Sequence, residues 1–423
     1  MNRIRLCVFI VTLSVSATAF SQVSSPYSSN GIGEISFQGL PHNFAMGGVG
    51  IGTPSTRNIN LENPALLTYN TLSSFQVGIL GDFRKLNTTV ESNKESSLGL
   101  RYLALSFPLI SRSRWVTSIA ALPLGTVNYH TVSKEPIDDI YTSQTDYFGD
   151  GGLSQLIWAN GFRVFDNLSL GFRASYVFGT VTDESTIKLL LDSTGTISGQ
   201  DFIIAYQETT SYSDFNLSVG AAYHVKLKED KYLNLGATYS ISNELSGSRD
   251  IFFERQTLNG ISVDQQEIST NESANFELPI TVGFGISYEK LAHYKVGLDI
   301  RTQRWSETST QEPGEIFRNA SSLSLGAEYT PNYQNVKNYF ARAKYRLGFS
   351  YKESPYILND KKINDFGINF GLALPMINAS SLDLGFKFGV KGTTKNDLIR
   401  ENYFQFVLGA TMNDRWFIKR RYD

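Results

Sequence analysis

The residues in this chain that could do chemistry are few and badly spaced for it. The histidines, His42, His130, His224 and His293, share no spacing used by metal-binding motifs, and each reads as a buried-interior or loop residue. "GVGIGT" at 48–53 offers glycines, but Thr53 stands where the third glycine of a dinucleotide fingerprint belongs, and no strand-to-helix switch follows. Neither Gly-x-Ser-x-Gly nor His-Glu-x-x-His occurs, and nothing nominates a nucleophile with its base. The chain therefore reads as a non-enzyme without cofactor or bound metal. The acidic run "EPIDDIYTSQTDYFGD" has oxygen ligands suited to calcium, but reads more simply as a solvated loop.

The start of the chain sets the compartment. Arg3 and Arg5 precede the apolar stretch "LCVFIVTLSVSATAF", and small residues at Ala17, Ala19 and Ser21 follow, which is the pattern of a secretory signal over 1–21. Cleavage is expected after Ser21, with Ala19 as the alternative, and either removes Cys7, the only cysteine. A formal net charge of -2 excludes a strongly basic nucleic-acid footprint.

The rest of the chain is written in strands. Aromatics make up 13% of residues, Gly numbers 35, and one phrase keeps returning: "SLGF", "SVGA", "NLGA", "KVGL", "RLGF", "DLGF". Each sits in a segment that alternates apolar with small or polar residues, as at Leu382, Leu384, Phe386, Phe388 and Val390 against Asp383, Gly385, Lys387, Gly389 and Lys391. About fourteen such segments occur between residues 72 and 417, an even number. Short joints such as "FDN", "EKLAH", "PNYQNV" and "PMINAS" alternate with long polar ones at 131–150, 183–212, 246–275 and 304–320. That alternation predicts an all-β fold, an antiparallel transmembrane barrel over 71–418 with a basic tail at 419–423.

Ahead of the strands lie "SSPYSSNGIGEISFQGLPHNFAMGGVGIG" and "NINLENPALLTYN". This opening resembles that of FadL/TodX-type outer-membrane transport proteins of the Bacteroidetes kind, which carry a Gly-rich stretch and then an Asn-Pro-Ala motif. The resemblance implies that residues 22–70 form a hatch inside the barrel, with Gly47, Gly48, Gly50, Gly52, Asn63, Pro64 and Ala65 as its motif residues. Glycines that permit close packing, and a turn fixed by Asn63-Pro64, are in keeping with that role. The resemblance also implies the outer membrane of a Gram-negative bacterium and uptake of hydrophobic molecules such as fatty acids or aromatic hydrocarbons. Relatives of the PorV kind imply an alternative: a structural or accessory barrel within an outer-membrane secretion or assembly complex, with other outer-membrane proteins as partners.

Two features bear on that choice. Many charges fall on the inner parity, including Lys295, Asp299, Arg301, Glu328 and Arg346, and across the "PMINAS" turn Lys391 is expected to face Asp365 as a lumen charge pair. In the third strand, Pro123 and Gly125 interrupt the pattern, and proline cannot donate to a ladder, so a bulge or kink is expected. By resemblance, Leu122, Pro123 and Gly125 are the lateral gate through which a ligand leaves for the bilayer.

Overall fold

The computed structural model describes residues 24–110, 114–191, 202–257, 261–308, 317–359 and 361–416. The expected signal over 1–21 and the tail over 419–423 lie outside these residues. The alternating segments become β1 (Ser73–Asn87), β2 (Ser92–Ile110), β3 (Trp115–Pro136), β4 (Tyr141–Arg163), β5 (Leu168–Leu191), β6 (Phe202–Lys228) and β7 (Lys231–Ser240). After an inserted hairpin come β8 (Thr281–Lys290), β9 (Tyr294–Gln303), β10 (Ala320–Tyr329), β11 (Lys344–Leu358), β12 (Lys361–Pro375), β13 (Ser381–Lys391) and β14 (Arg400–Asp414). Each pairs antiparallel with its neighbour, and β14 returns to β1 along Arg400↔Asn87 to Asp414↔Ser73, closing a 14-strand barrel. Outward positions carry the apolar residues, among them Phe284, Leu325, Ile368 and Phe388, all exposed on the wall.

The strands differ greatly in length. β7 to β10 have 10 residues each, close to the roughly 9–11 needed to span a bilayer. β3 to β6 have 22, 23, 24 and 27. The stretches 131–150 and 183–212, expected as polar loops, are largely strand. Pro136 and Tyr141 bracket a tight turn, and β5 and β6 stay paired up to Ile187↔Ile204. The stretch 246–275 is a further hairpin, Gly247–Thr257 with Ser262–Ser273, whose first arm pairs with upper β6 from Gly247↔Tyr212 to Thr257↔Phe202. Polarity marked these segments as outside the membrane, but their Thr, Tyr and Ile content supports strand on both sides of the interface. The joint containing "PNYQNV" is longer than its motif, running from Thr330 to Ala343 and including a 3₁₀ turn at Phe340–Arg342.

Candidate functional site: a charged interior and a seam

Residues 24–70 contact inward-facing positions of strands around the circumference. Short elements punctuate the segment: a two-residue strand Glu34–Ile35, a helical turn Pro41–Ala45, and a 3₁₀ helix Pro64–Tyr69 whose first N–H groups are capped by Asn63, which accepts from Ala65 N at 3.1 Å. Gly47, Gly50, Gly52, Asn63, Pro64 and Ala65 are buried, and Gly48 is half-buried.

The repeated Leu-Gly phrase explains why this segment fits. Gly161, Gly171 and Gly220 lie side by side on β4, β5 and β6. A methyl group on Gly161 would meet Pro64 O at 2.6 Å, and one on Gly171 would meet Ala65 N at 2.5 Å. Gly297, Gly326 and Gly348 form a second row on β9, β10 and β11, lying against Val49, Met46 and Gly47. Cross-strand glycines thus form two shelves, and the main chain of the segment rests where side chains would otherwise stand. Gly47, at φ +71° and pressed on the main chain of Phe349, requires glycine on both counts.

Polar side chains of the wall complete the fit. Asp299 accepts from Gly50 N and Ile51 N, both at 2.7 Å, Ser287 donates to Gly52 O at 2.7 Å, and Asn369 to Phe44 O at 2.7 Å. Arg163 donates to Thr68 O at 2.8 Å, Asn63 donates to Ala221 O at 3.0 Å, and Arg301 pairs with Glu62.

Two ion networks fill much of what remains. In the first, Arg346, only 1% exposed at its side chain, bridges Glu328 at 2.8 Å and Asp383 at 2.7 Å, and Glu328 also takes Lys344 at 2.9 Å. In the second, Arg84 touches Glu34 at 3.0 Å, Asp82 at 2.9 Å and Glu401 at 2.9 Å. Asp365 lies directly across from Lys391 in the β12–β13 ladder, and Asn369 and Ala373 lie across from Lys387 and Asp383. The charges nevertheless choose other partners. Lys391 Nζ is 3.2 Å from Glu34, whereas Asp365 takes Lys387 at 3.3 Å and a hydrogen bond from Tyr403. The reason is Glu34, which enters from the N-terminal segment and draws Lys391 away.

The third-strand break is a seam. Pro123 remains opposite Ser154 on β4, but Leu124 is an extra residue before Gly125↔Leu153. On the other side, the β2–β3 ladder stops at Leu103↔Ala121, and β2 has its own extra residue, Arg101, between Leu100↔Ile79 and Tyr102↔Gly78. Two bulges at one height splay the strands. Glu34 and Ile35 fill part of the opening by pairing with Thr126 and Gly125, and Gln38 donates to Pro123 O at 3.4 Å. Leu122 is buried and packs in an apolar cluster with Leu40, Ile59 and Leu61. Behind the seam is a cavity of about 480 Å³ reached by Arg84, Arg101, Pro123, Lys352 and Asp365; a second, of about 250 Å³, lies against Glu62, Arg173, Arg301 and Lys352.

The histidines are spread through the structure. His42 is buried in the N-terminal segment, His130 stacks on Phe148, His224 stacks on Tyr232, and His293 meets Tyr333 edge-on. Sequence reasoning passed over Arg84, Glu34 and Glu401, which lie far apart in the chain. It also took the Leu-Gly phrase only as a strand signature, although the glycine parity, constant across strands, marked an inner surface built for close approach.

A protein-family model described as BamG matches residues 1–423. Among solved structures, the toluene transporter TodX of P. putida is 16% identical with a TM-score of 0.57, covering 92% of this chain and 100% of its own. The Ralstonia pickettii toluene transporter TbuX is 16% identical with a TM-score of 0.56, covering 89% of this chain and 99% of its own. A Pseudomonas aeruginosa FadL homologue is 12% identical with a TM-score of 0.55, covering 93% and 98%. These likenesses establish the fold. No curated protein matches.

Proposed function

From the premise that the chain belongs to the BamG family, we propose that it is an outer-membrane barrel acting as a structural or accessory subunit of a multiprotein assembly or secretion complex, with residues 22–70 as an internal hatch. The observation that carries this reading is the interior. A path for hydrocarbon needs a continuous apolar groove, and passing one through unshielded charge is unfavourable. Both cavities carry Arg, Lys and carboxylate side chains among apolar ones such as Ile35 and Phe37, so charge interrupts their apolar lining. The paired networks around Arg84 and Arg346 tie β1, β10, β11, β13 and β14 together across the interior. The outward band of Phe, Leu and Ile supports placement in a bilayer.

A second reading, uptake of hydrophobic molecules with lateral exit at Leu122, Pro123 and Gly125, draws on one specific observation, the loss of the β2–β3 ladder beyond Ala121. Native purification in mild detergent, with identification of copurifying proteins and bound lipids, separates the two. The subunit reading expects partner proteins in fixed stoichiometry. A solitary barrel holding a hydrophobic ligand, whose uptake is lost on changing Pro123 and Gly125 to Val, would overturn it in favour of transport.

A further inference from the structure

The seam leaves one strand edge bare. Along Ser92–Tyr102, β2 pairs with β1 on one side, while its ladder to β3 begins only at Leu103. Among the described residues no main-chain hydrogen bond reaches that second edge. The opposite lip is treated differently. Glu34 and Ile35 pair with Thr126 and Gly125, Ser36 N donates to Leu124 O at 2.9 Å, and Ser25 N donates to Asn128 O at 2.8 Å. The chain therefore covers one lip by adding a short strand to it and leaves the other open, although an exposed edge is a template for pairing with another chain.

Charge behind the open lip points the same way. Arg101 donates to Phe37 O, and Lys352 Nζ sits 5.9 Å over the Phe37 ring. Among the described residues neither cation reaches a carboxylate, in contrast to Arg84, Arg346 and Lys387 in the same interior. Both border the 480 Å³ cavity, as do Ser97 and Gly99 of the bare edge. On the other face of that edge, Leu98 and Leu100 are exposed.

We propose that the bare edge of β2 is a docking site for an extended segment of a partner protein, added as a strand along Ser92–Tyr102 with an Asp or Glu side chain directed at Arg101 and Lys352. The proposal rests on the complex-subunit reading and names the kind of contact that reading requires. Main-chain bonds supply the affinity of such strand addition, and alternate side chains supply its specificity. The fitting segment alternates, with apolar residues beside Leu98 and Leu100 and small or acidic residues beside Ser97, Gly99 and Arg101.

The test is photocrosslinking in native membranes with the full chain, placing a photoreactive amino acid at Ser96, Leu98 or Leu100, and at Ile286 on β8 as the control. Adducts from the three edge positions should fall on residues two apart in one segment of one partner, a segment holding an acidic residue in register with Arg101. R101E should lower the adduct yield at Leu98 by at least about tenfold, and R101K should retain it. Heat-modifiable gel mobility checks that each variant is folded, and K352E provides a second reversal if R101E fails to assemble. Copurifying partners without edge adducts above the Ile286 level overturn the docking site and leave the subunit reading standing. Adducts only to lipid, or only to a second copy of this chain, overturn it as well. Absence of any copurifying partner overturns both.

Discussion

The wall from β8 through β10 and the wall across β2 and β3 are built from the same alternating pattern, yet one is in strict register and the other is split. From Thr281↔Gln303 to Gln303↔Ala320 the ladders run without a shift, glycine shelves face inward, and Asp299 grips the main chain of Gly50 and Ile51. At the seam, bulges at Arg101 and Leu124 flank the end of the ladder, and among the described residues Arg101 and Lys352 reach no carboxylate. Register in this barrel is thus held from inside as well as by the ladder. Where the N-terminal segment lies flat on glycine and its polar groups are met, the wall is continuous. Where it must add its own strand to a lip, the wall opens.

Four predictions press on that contrast. The largest effect is expected from Arg346→Met, which strands buried Asp383 beside Glu328 and should destabilise the barrel by about 3–5 kcal/mol, read from denaturant unfolding followed by gel mobility. Lys391→Met, whose partner Glu34 keeps Arg84, should cost clearly less; equal losses would mean that the two networks do not differ as described. Next, Gly348→Ala and Gly220→Ala drive a methyl group into Gly47 and Asn63, and each should cost about 1–3 kcal/mol and render residues 43–66 protease-sensitive. If either is neutral, the shelves are not what seats the segment. At the seam, Pro123→Val with Gly125→Val should disturb Ile32 to Ser36, since a side chain at Gly125 meets the carbonyl of Ile32. Proteolysis near residue 34 should rise while barrel stability shifts by under about 1 kcal/mol, because only a short ladder is lost.

The smallest effect concerns the overhanging sheet. Burial raises the Asp146 carboxyl, but hydrogen bonds from Lys188 and Gln144 and the Lys188 charge outweigh it and hold it below the usual range. A carboxylate depressed by folding adds stability above its unfolded value, about 3.9, and loses it as pH falls through the folded one. Protection factors at residues 142–150, corrected for the intrinsic exchange rate at each pH, should therefore fall below about pH 4 in the wild type, and Asp146→Asn should flatten that dependence.

Much of the barrel was legible because period-two alternation persists through each span and turn chemistry separates the spans. The register of β12 on β13 could be read from a single tight turn. What polarity concealed was the extent of β3 to β6, since a solvated strand and a solvated loop share composition. The ion partners were illegible for a different reason: Asp365 and Lys391 are adjacent in the ladder, but Glu34 reaches Lys391 from more than 350 positions away in sequence, which no local pattern encodes. The break at Pro123 was readable from proline's missing N–H. The matching bulge at Arg101, with no proline or bulge glycine to announce it, was not.

In the reading proposed above, the N-terminal segment and the ion networks close the lumen to ions. Conductance in planar bilayers, comparing the wild type with a barrel lacking residues 30–66, addresses it directly. The wild type should carry no steady ionic current, and the deletion should show well-resolved open steps. A wild type that conducts as freely as the deletion would contradict it.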